Sequence, residues 1–255
     1  MSPLFDVRGK VCLVTGSTRG IGKAMVWRLA EAGARVTVSS RKAEACEQVA
    51  SEINAAFGDG SAIAVPCNAS DKAQLQTLVD QTREAFGPID VAIANAGTNP
   101  HFGPSETLQD SAFLKILQTN LVAVHWLFHM VLPEMRARRQ GRLIVTSSNS
   151  AFMGQTALGA YSISKAADLQ LVRNFSKEFG PEGITVNAIA PGLVRTDMSR
   201  ALWEDPEILR GATQGSDLRR IGEPDEIAGL ALFLASPASG FMTGQCLVAD
   251  GGVVS

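Results

Sequence analysis

Thr15-Gly16-Ser17-Thr18-Arg19-Gly20-Ile21-Gly22 follows an apolar run over residues 11–14 and precedes a helical pattern over residues 20–32. Glycines spaced in this way permit a tight turn between a strand and a helix, and they let the backbone approach a pyrophosphate at the positive end of the helix. A glycine spacing alone is a weak signal, but its place between a strand and a helix is the context that a dinucleotide-binding turn requires. A purely structural turn is the alternative. The stretch therefore predicts a nucleotide-binding strand, turn and helix.

Short apolar runs alternate with amphipathic stretches along the rest of the chain. Because the runs are mostly continuous, they are typical of parallel strands covered on both faces. The pattern predicts one α/β domain over residues 1–255, a doubly wound (Rossmann) parallel sheet of about seven strands with helices on both faces. The other predicted strands are 36–38, 63–65, 91–94, 143–145, 184–190 and 246–249, and the other predicted helices are 43–56, 71–86, 111–139, 159–180 and 224–235.

The interval 192–223 has no strand-like run and contains Asp205-Pro206 and Gly211. A connection of this length in a compact domain is more often a lid or a binding segment than filler. We therefore expect residues 192–223 to form a lid over a substrate site.

Composition favours a protein of a reducing compartment. The chain has 45% hydrophobic and 19% charged residues, and its net charge of −2 gives no argument for binding nucleic acid or an anionic membrane. The N-terminal sequence lacks a signal-peptide pattern, and no apolar run approaches the roughly 18 residues of a membrane span. Cys12, Cys46, Cys67 and Cys246 are scattered, as reduced core thiols are. We expect a cytoplasmic protein with no metal, no membrane contact and no nucleic-acid partner.

Tyr161 and Lys165 stand four residues apart on a predicted helix, so they lie on one face, one turn apart. An ammonium beside a phenol favours the phenolate, and at roughly 4 Å with an effective dielectric near 20 the two charges interact by about 4 kcal/mol. Such a tyrosine can act as an acid or base near neutral pH. An ordinary surface helix is the alternative. The context favours a catalytic role for Tyr161 and Lys165, because a strand that ends in Ser147-Ser148 lies just upstream of them.

These motifs, in this order and at these spacings, resemble the short-chain dehydrogenase/reductase family over essentially the whole chain. The resemblance implies hydride transfer between a nicotinamide and a carbonyl or alcohol carbon, as in a carbonyl reductase or an alcohol dehydrogenase. The matching pieces are the glycine turn, Asn95-Ala96-Gly97, Asn120, Ser148, Tyr161, Lys165, Pro191-Gly192 with Thr196, and Asp250-Gly251-Gly252.

The resemblance implies a catalytic role for four residues. Tyr161 would be the general acid in reduction and the base in oxidation, and Ser148 would hydrogen-bond the substrate oxygen. Lys165 would assist Tyr161 and hold the nicotinamide ribose, while Asn120 would anchor a water that relays protons to Lys165. Ser147 is a competing hydroxyl, but the family's spacing to the tyrosine favours Ser148. The implied cofactor site comprises Gly16, Ser17, Arg19, Gly20, Ile21, Gly22, Ser40, Arg41, Asn68, Ala69, Asn95, Ala96, Gly97, Tyr161, Lys165, Pro191, Gly192, Val194 and Thr196.

The end of the second strand bears on the choice of cofactor. In NAD-binding members an acid there bonds the ribose 2′-hydroxyl. Here Ser40 holds the place of the acid, and two cations, Arg41 and Lys42, follow it. Cations just before a helix are disfavoured, and a bound 2′-phosphate would remove that cost, with Arg19 as a further cation. We favour NADP(H), and a solvated basic loop with NAD(H) is the alternative.

After the third strand the family usually has an Asp, whereas here Cys67 is followed by Asn68-Ala69. An Asn can still hydrogen-bond an adenine edge, so we expect the site to be kept with altered detail.

The segments around Ser148 and Tyr161 and in the lid are largely apolar, which favours a mostly uncharged small carbonyl or alcohol substrate. The same residues would also pack as core beneath a lid. A 3-oxoacyl-thioester reductase of the acyl-carrier type is an alternative that shares every catalytic residue, and an NAD-preferring alcohol dehydrogenase is another. A non-catalytic nucleotide sensor is a further one, but such proteins typically lose the tyrosine or the lysine.

Two other clusters suggest different functions. His125 and His129 have the spacing of two zinc ligands on a helix, but no third ligand is in evidence. The basic residues after them suit a helix C-terminus, although docking of an acidic carrier protein is conceivable; they are Arg136, Arg138, Arg139 and Arg142. In the family, the helix over 111–139 and the helix that carries Tyr161 form dimer faces, which implies a homo-oligomer, either a tetramer or a dimer.

Overall fold

Seven parallel strands form one sheet at the centre of the protein, for which a computed structural model describes residues 3–254. Met1, Ser2 and Ser255, the ends of the predicted domain, lie outside the described residues. The strands are β1 (Val11–Thr15), β2 (Arg35–Ser39), β3 (Ala62–Ala64), β4 (Val91–Ala94), β5 (Gly141–Thr146), β6 (Ile184–Pro191) and β7 (Cys246–Ala249). Their order is β3-β2-β1-β4-β5-β6-β7, so the winding direction reverses between β1 and β4. Ligands of such sheets bind at the carboxyl ends of the strands, at this reversal point.

Helices cover both faces of the sheet, which confirms the predicted doubly wound architecture. They are α1 (Gly20–Glu31), α2 (Ala43–Phe57), α3 (Lys72–Phe86), α4 (Asp110–Leu117), α5 (Ala123–Arg138), α6 (Gly159–Phe179), α7 (Pro206–Thr213) and α8 (Pro224–Ala235). On one face the core is built by α1, α2 and α8, with Met25 and Ile53 among its buried side chains. On the other face α3, α5 and α6 bury residues such as Leu78 and Phe128.

The helix predicted over residues 111–139 is present as one helical segment, Asp110–Arg138, but it contains a local change of helix type that was not predicted. A π-helical turn, Gln118–Val122, separates α4 from α5. Such a turn inserts one extra residue and changes the direction in which the following side chains face, and it is frequent at functional sites. The apolar spacing of the sequence does not reveal a single inserted residue. Here the turn carries Asn120, which it buries completely.

By length and composition alone, Asp110–Arg138 is long and apolar enough to cross a membrane. Half of its most apolar window is buried inside the protein, and α5 packs against α3, β4 and β5. Leu127 and Val131 fill the core on this face. The segment serves as a core helix of the sheet.

The segment 192–223 leaves the carboxyl end of β6 and contains a 3₁₀ turn, Asp197–Leu202, followed by α7. The carboxylate of Asp205 caps α7 by accepting hydrogen bonds from two backbone N–H groups at 2.7 and 3.1 Å. A β-bridge between Val194 and Gly222 joins the two ends of the segment. The segment therefore forms a loop whose two ends lie side by side after β6.

Candidate active site

The glycine turn between β1 and α1 has the geometry that its sequence predicts. Gly16 and Gly20 have positive φ angles of 67° and 53°, which favour glycine. A Cβ on Gly22 would lie 2.3 Å from the carbonyl oxygen of Gly16, so only a glycine fits there. The N-cap residue of α1, Arg19, makes no side-chain cap, and the first turn holds no acid. The N-terminal N–H groups of α1 are therefore suited to an anion.

Asn95 connects the glycine turn to the end of β4. Its side-chain amide donates to the carbonyl oxygens of Thr15 and Gly16 at 3.0 and 3.1 Å. The hydroxyl of Thr15 in turn accepts the backbone N–H groups of Asn95 and Ala96, each at 3.1 Å. A Cβ on Gly97 would lie 3.8 Å from Nζ of Lys165. Asn95, Ala96 and Gly97 therefore join the glycine turn to the surroundings of Lys165.

Ser17 lies in the core and not on the surface of the site. Its hydroxyl donates to the carbonyl oxygen of Val14 at 2.8 Å and accepts the N–H of Ser39 at 2.8 Å. The side chain is fully buried, so it holds β1 to β2. Ile21 and Ala69, two other residues of the predicted cofactor set, are half-buried and pack against the core.

The end of β2 carries cations and no acid. Ser40 is half-buried, and its hydroxyl lies 3.4 Å from Sγ of Cys46. Arg41 and Lys42 are exposed, and within residues 3–254 neither of them forms an ion pair. Arg19 is 69% exposed at its side chain and pairs with Asp197 of the lid at 3.2 Å. Within the described residues, two unpaired positive charges thus follow the end of β2.

Asn68 follows β3 and is exposed. Its Oδ1 accepts the N–H of Ser70 at 3.2 Å, and its own N–H donates to Oε1 of Gln74 at 2.8 Å. These bonds form a local turn that fixes the backbone of residue 68 before α3.

At the end of β5 the structure distinguishes Ser147 from Ser148. The Ser147 hydroxyl is buried and donates to the carbonyl oxygen of Lys165 at 2.8 Å. The Ser148 hydroxyl is half-buried and accepts the N–H of Ser150 at 3.2 Å, which leaves its own proton free to be donated. Of the two serines, Ser148 is therefore the one whose hydroxyl proton is not used within the chain, and its contact with a substrate oxygen stays a prediction.

Lys165 is buried, and its ammonium is held by a backbone carbonyl. Its side chain is only 5% exposed, and Nζ donates to the carbonyl oxygen of Thr146 at 2.8 Å. The same Nζ lies 5.8 Å from the centre of the Tyr161 ring, one turn back along α6. Within residues 3–254 the Tyr161 hydroxyl has no hydrogen-bond partner, and the side chain is half-buried. The tyrosine thus offers a free hydroxyl beside a fixed cation.

Asn120 is held by three hydrogen bonds. Its Oδ1 accepts the N–H of Thr98 at 2.8 Å, and its Nδ2 donates to the carbonyl oxygen of Thr98 and to the hydroxyl of Ser164 at 3.1 and 3.0 Å. Its side chain therefore fixes the loop after β4 to α6. The structure brings Asn120 and Lys165 together around Gly97, since a Cβ there would be 3.6 Å from Oδ1 of Asn120.

Comparison with known proteins agrees with this geometry. The family model described as Enoyl-(Acyl carrier protein) reductase matches residues 16–254. The dehydrogenase/reductase SDR family member 4 of Bos taurus is 37% identical over 247 residues, which cover 96% of this chain and 88% of the relative. The chain belongs to the short-chain dehydrogenase/reductase family. The predicted family and enzyme class are thereby confirmed, and the protein is an oxidoreductase.

Other members are equally similar to this short-chain dehydrogenase/reductase. The rhamnolipids biosynthesis 3-oxoacyl-[acyl-carrier-protein] reductase of Pseudomonas aeruginosa is 38% identical over 259 residues and 99% of both chains. The solved RhlG/NADP active-site complex of Pseudomonas aeruginosa has 37% identity and a TM-score of 0.92, with 99% of both chains covered. A 7α-hydroxysteroid dehydrogenase complexed with NADH has 34% identity and a TM-score of 0.93, and the match covers 99% of this chain and 97% of that one.

The lid of this dehydrogenase/reductase begins at the sheet edge and touches the glycine turn. Pro191 ends β6, and a Cβ on Gly192 would lie 2.6 Å from Cα of Asp250, so this glycine packs against the backbone after β7. The side chain of Val194 is buried. Thr196 contacts Gly20, where a Cβ would lie 3.0 Å from Cγ2 of the threonine. The lid segment is thus anchored at the glycine turn.

A cleft of about 880 Å³ lies between the glycine turn, α1 and the lid, and it is lined by Arg19, Gly20, Thr196 and Trp203 among others. A smaller cavity of about 190 Å³ lies between the lid and the chain after β7. The four predicted catalytic residues line neither of them. The larger cleft therefore borders the glycine turn and the segment 192–223.

Asp168 is a residue of the site that sequence reasoning missed. It lies on α6 one turn after Lys165, is fully buried, and has Oδ2 3.4 Å from Nζ of the lysine. Burial raises the pKa of this carboxyl to about 6, although the neighbouring ammonium opposes the shift. A charged residue three positions after the lysine, on the same helix face, was the available signal.

The remaining clusters take part in packing. The rings of His125 and His129 stack at 6.0 Å, and His125 also meets Phe175 edge-on. Within residues 3–254 no three metal-ligating side chains come together. The basic residues at the C-terminal end of α5 and just after it make contacts within the chain, for example Arg136 with Glu182 at 2.7 Å. Burial raises the pKa of the Cys67 thiol to about 12 and that of Cys246 to about 11, so these thiols stay protonated.

Proposed function

We propose that this short-chain dehydrogenase/reductase is an NADP(H)-dependent carbonyl reductase or alcohol dehydrogenase with Tyr161 as its general acid and base. The observation that carries the proposal is the arrangement around Lys165, whose ammonium is fixed beside the Tyr161 ring at the end of β5. Ser148, the hydroxyl left free at that strand end, lies in the same region. A free phenol, a fixed cation and a hydroxyl donor are the groups that proton transfer to a carbonyl oxygen requires.

When bound, the nicotinamide would supply or accept the hydride. The chain's own residues handle the substrate oxygen and the proton. Ser148 donates its proton to the substrate oxygen in a hydrogen bond, since its lone pair already accepts from Ser150. Tyr161 delivers a proton to that oxygen in reduction and removes it in oxidation. Lys165 uses one N–H for Thr146 and keeps another for a ribose hydroxyl.

Three observations support NADP(H) as the cofactor. The glycine turn and the uncapped N-terminus of α1 suit a pyrophosphate. The end of β2 offers Ser40 in place of an acid, followed by the unpaired cations Arg41 and Lys42. A similar enzyme, RhlG, was solved with NADP. NAD(H) is the alternative, because the related 7α-hydroxysteroid dehydrogenase was solved with NADH.

The substrate that fits this site is mostly uncharged. Three large apolar side chains are exposed on segments that leave the carboxyl edge of the sheet, namely Phe102 after β4, Phe152 after β5 and Met198 in the lid. Trp203 is occupied within the lid, where its ring packs on Arg195 and its Nε1 donates to Thr196 at 2.9 Å. Exposed apolar surface around a polar centre favours a substrate whose body is apolar.

A 3-oxoacyl-thioester reductase is the second candidate. It is supported by the 38% identity to the rhamnolipids biosynthesis 3-oxoacyl-[acyl-carrier-protein] reductase, and the description of the matching family model also names an acyl carrier protein. Both candidates use the same catalytic residues and differ in the group attached to the carbonyl.

We also propose a cytoplasmic homo-oligomer, a tetramer or a dimer. Ile163 on α6 is 54% exposed and Phe241 before β7 is fully exposed, and burial of such apolar side chains favours association.

The test is the change in absorbance at 340 nm with a panel of ketones, aldehydes and a 3-oxoacyl thioester, run with NADPH and NADH in parallel. Turnover of simple ketones with NADPH supports the proposal. Turnover restricted to the thioester would favour the second candidate, and no turnover with any carbonyl would refute both.

A further inference from the structure

Asp168 occupies a position that the stability of the fold does not explain. Its side chain is 0% exposed, and its Oδ1 is buried without a hydrogen-bond partner within residues 3–254. A carboxylate that is removed from water and left with an unpaired oxygen is costly, and most buried polar atoms are paired. Residues that destabilise a fold are concentrated at functional sites, so the contacts of Asp168 indicate its role.

The contact of Asp168 is the catalytic lysine. Its Oδ2 lies 3.4 Å from Nζ of Lys165, and within residues 3–254 it is the one acid at ion-pair distance from that ammonium. The groups that face the ammonium from other elements are uncharged: the carbonyl of Thr146 on β5 at 2.8 Å and the backbone at Gly97 after β4. On α6 itself the other titratable neighbour is Tyr161, whose ring centre is 5.8 Å away.

An ammonium has three N–H donors and no acceptor. The Thr146 carbonyl and the Asp168 carboxylate take two of the three from opposite elements, β5 and α6. This arrangement restricts a flexible four-carbon side chain to one position and leaves one donor for a ligand. The carboxylate also compensates the buried positive charge, which a neutral side chain at position 168 would leave uncompensated.

We propose that Asp168 is a positioning residue that fixes and charge-compensates Lys165, so that one N–H of the ammonium is held ready for the cofactor ribose beside Tyr161. This inference rests on the proposed function, because only that function provides a nicotinamide cofactor for Lys165 to bind. It also implies that the enzyme keeps a destabilising acid for the benefit of its site.

A double-mutant cycle on NADPH binding tests the coupling between the two residues. The variants are Asp168→Ala, Lys165→Met and the combination, and the dissociation constant is read from the fluorescence of bound NADPH. We expect Asp168→Ala to weaken NADPH about tenfold in the wild-type background, a size typical of contacting residues. In the Lys165→Met background the same change should alter binding by less than about twofold. An equal effect in both backgrounds, or no effect in either, would overturn the proposal.

Glu178→Ala is the matched control, since it removes an exposed acid from the same helix and should leave NADPH binding unchanged. If the wild-type protein binds neither NADPH nor NADH, the proposed function fails. If it binds NADPH but the two substitutions act independently, only the inference about Asp168 fails.

Urea midpoints of the apo proteins give a readout that does not depend on the cofactor. Lys165→Met leaves Asp168 unpaired in the interior and should lower the midpoint, and adding Asp168→Asn should raise it again. A purely structural aspartate would show the opposite result, a further loss of stability in the double variant, and that outcome would refute the pairing on which the inference depends.

Discussion

Replacing Ser40 with aspartate should reverse the cofactor preference, because it restores the acid that NAD-binding members carry at the end of β2. Ser40 is half-buried and its neighbours Arg41 and Lys42 are exposed, so the effective dielectric lies between protein and water, about 40 to 80. For a carboxylate about 5 Å from a phosphate that carries roughly −1.5 to −2 charges, the repulsion is about 1–3 kcal/mol. This energy corresponds to roughly ten- to a hundredfold weaker NADPH binding.

NADH should behave in the opposite way, because the new carboxylate can accept a hydrogen bond from the free 2′-hydroxyl. The assay is kcat/KM for both cofactors at saturating carbonyl substrate, together with both dissociation constants. Ser40→Asn is the matched control: it has the size of aspartate but no charge, and it should lose much less NADPH affinity. A wild type that prefers NADH, or a ratio of the two cofactors that Ser40→Asp leaves unchanged, would refute the proposed role of this strand end.

Three further predictions follow from single contacts. Arg41→Ala should weaken NADPH several-fold with no gain for NADH, as measured by the same two dissociation constants; equal losses for both cofactors would contradict a role at the 2′-phosphate. Gly22→Ala should lower the free energy of unfolding in urea by about 1–3 kcal/mol, since the new Cβ would lie 2.3 Å from the Gly16 carbonyl oxygen. Gly229→Ala, in open space on α8, is the control and should be neutral or stabilising. Similar urea midpoints for the two variants would contradict this prediction. Burial raises the pKa of Asp168 from 3.8 to about 6, so the folded state holds this proton more tightly than the unfolded state does. Ionisation of Asp168 therefore lowers the free energy of unfolding by up to about 3 kcal/mol as the pH rises from about 4 to 6. The stability of Asp168→Asn relative to wild type should therefore increase over that pH range, and a constant difference would contradict the shift.

The sheet could be predicted from the sequence because its strands are continuous apolar runs. All seven predicted strands are present, with shifts of one or two residues at most ends, as in β3 at Ala62–Ala64. The helices that cover the sheet follow from their apolar spacing. The π-helical turn Gln118–Val122 could not be predicted, because apolar residues occupy so many positions of α5 that a shift of one residue in their spacing does not stand out. The turns and the short helix α7 in the lid are set by local caps such as Asp205, which a search for long periodic segments overlooks.

The candidate site divides in the same way. Motif spacing predicts Ser148, Tyr161 and Lys165, and the four-residue interval on α6 does place Nζ of Lys165 5.8 Å from the centre of the Tyr161 ring. It could not show that Ser17 is buried with its hydroxyl bonded to two strands, since this depends on how β1 and β2 pack. It also could not find Asp168, whose importance arises from burial beside the lysine and not from any motif.

The most direct test of the central claim is the turnover of Tyr161→Phe with NADPH and a carbonyl substrate, followed at 340 nm. The variant keeps the ring that packs on α6 and removes the proton that reduction requires. General acid catalysis contributes about 10²–10⁴-fold, so kcat should fall by at least about a hundredfold while the dissociation constant for NADPH stays within a few-fold of wild type. Turnover near the wild-type rate would contradict the role of Tyr161, and with it the proposed mechanism.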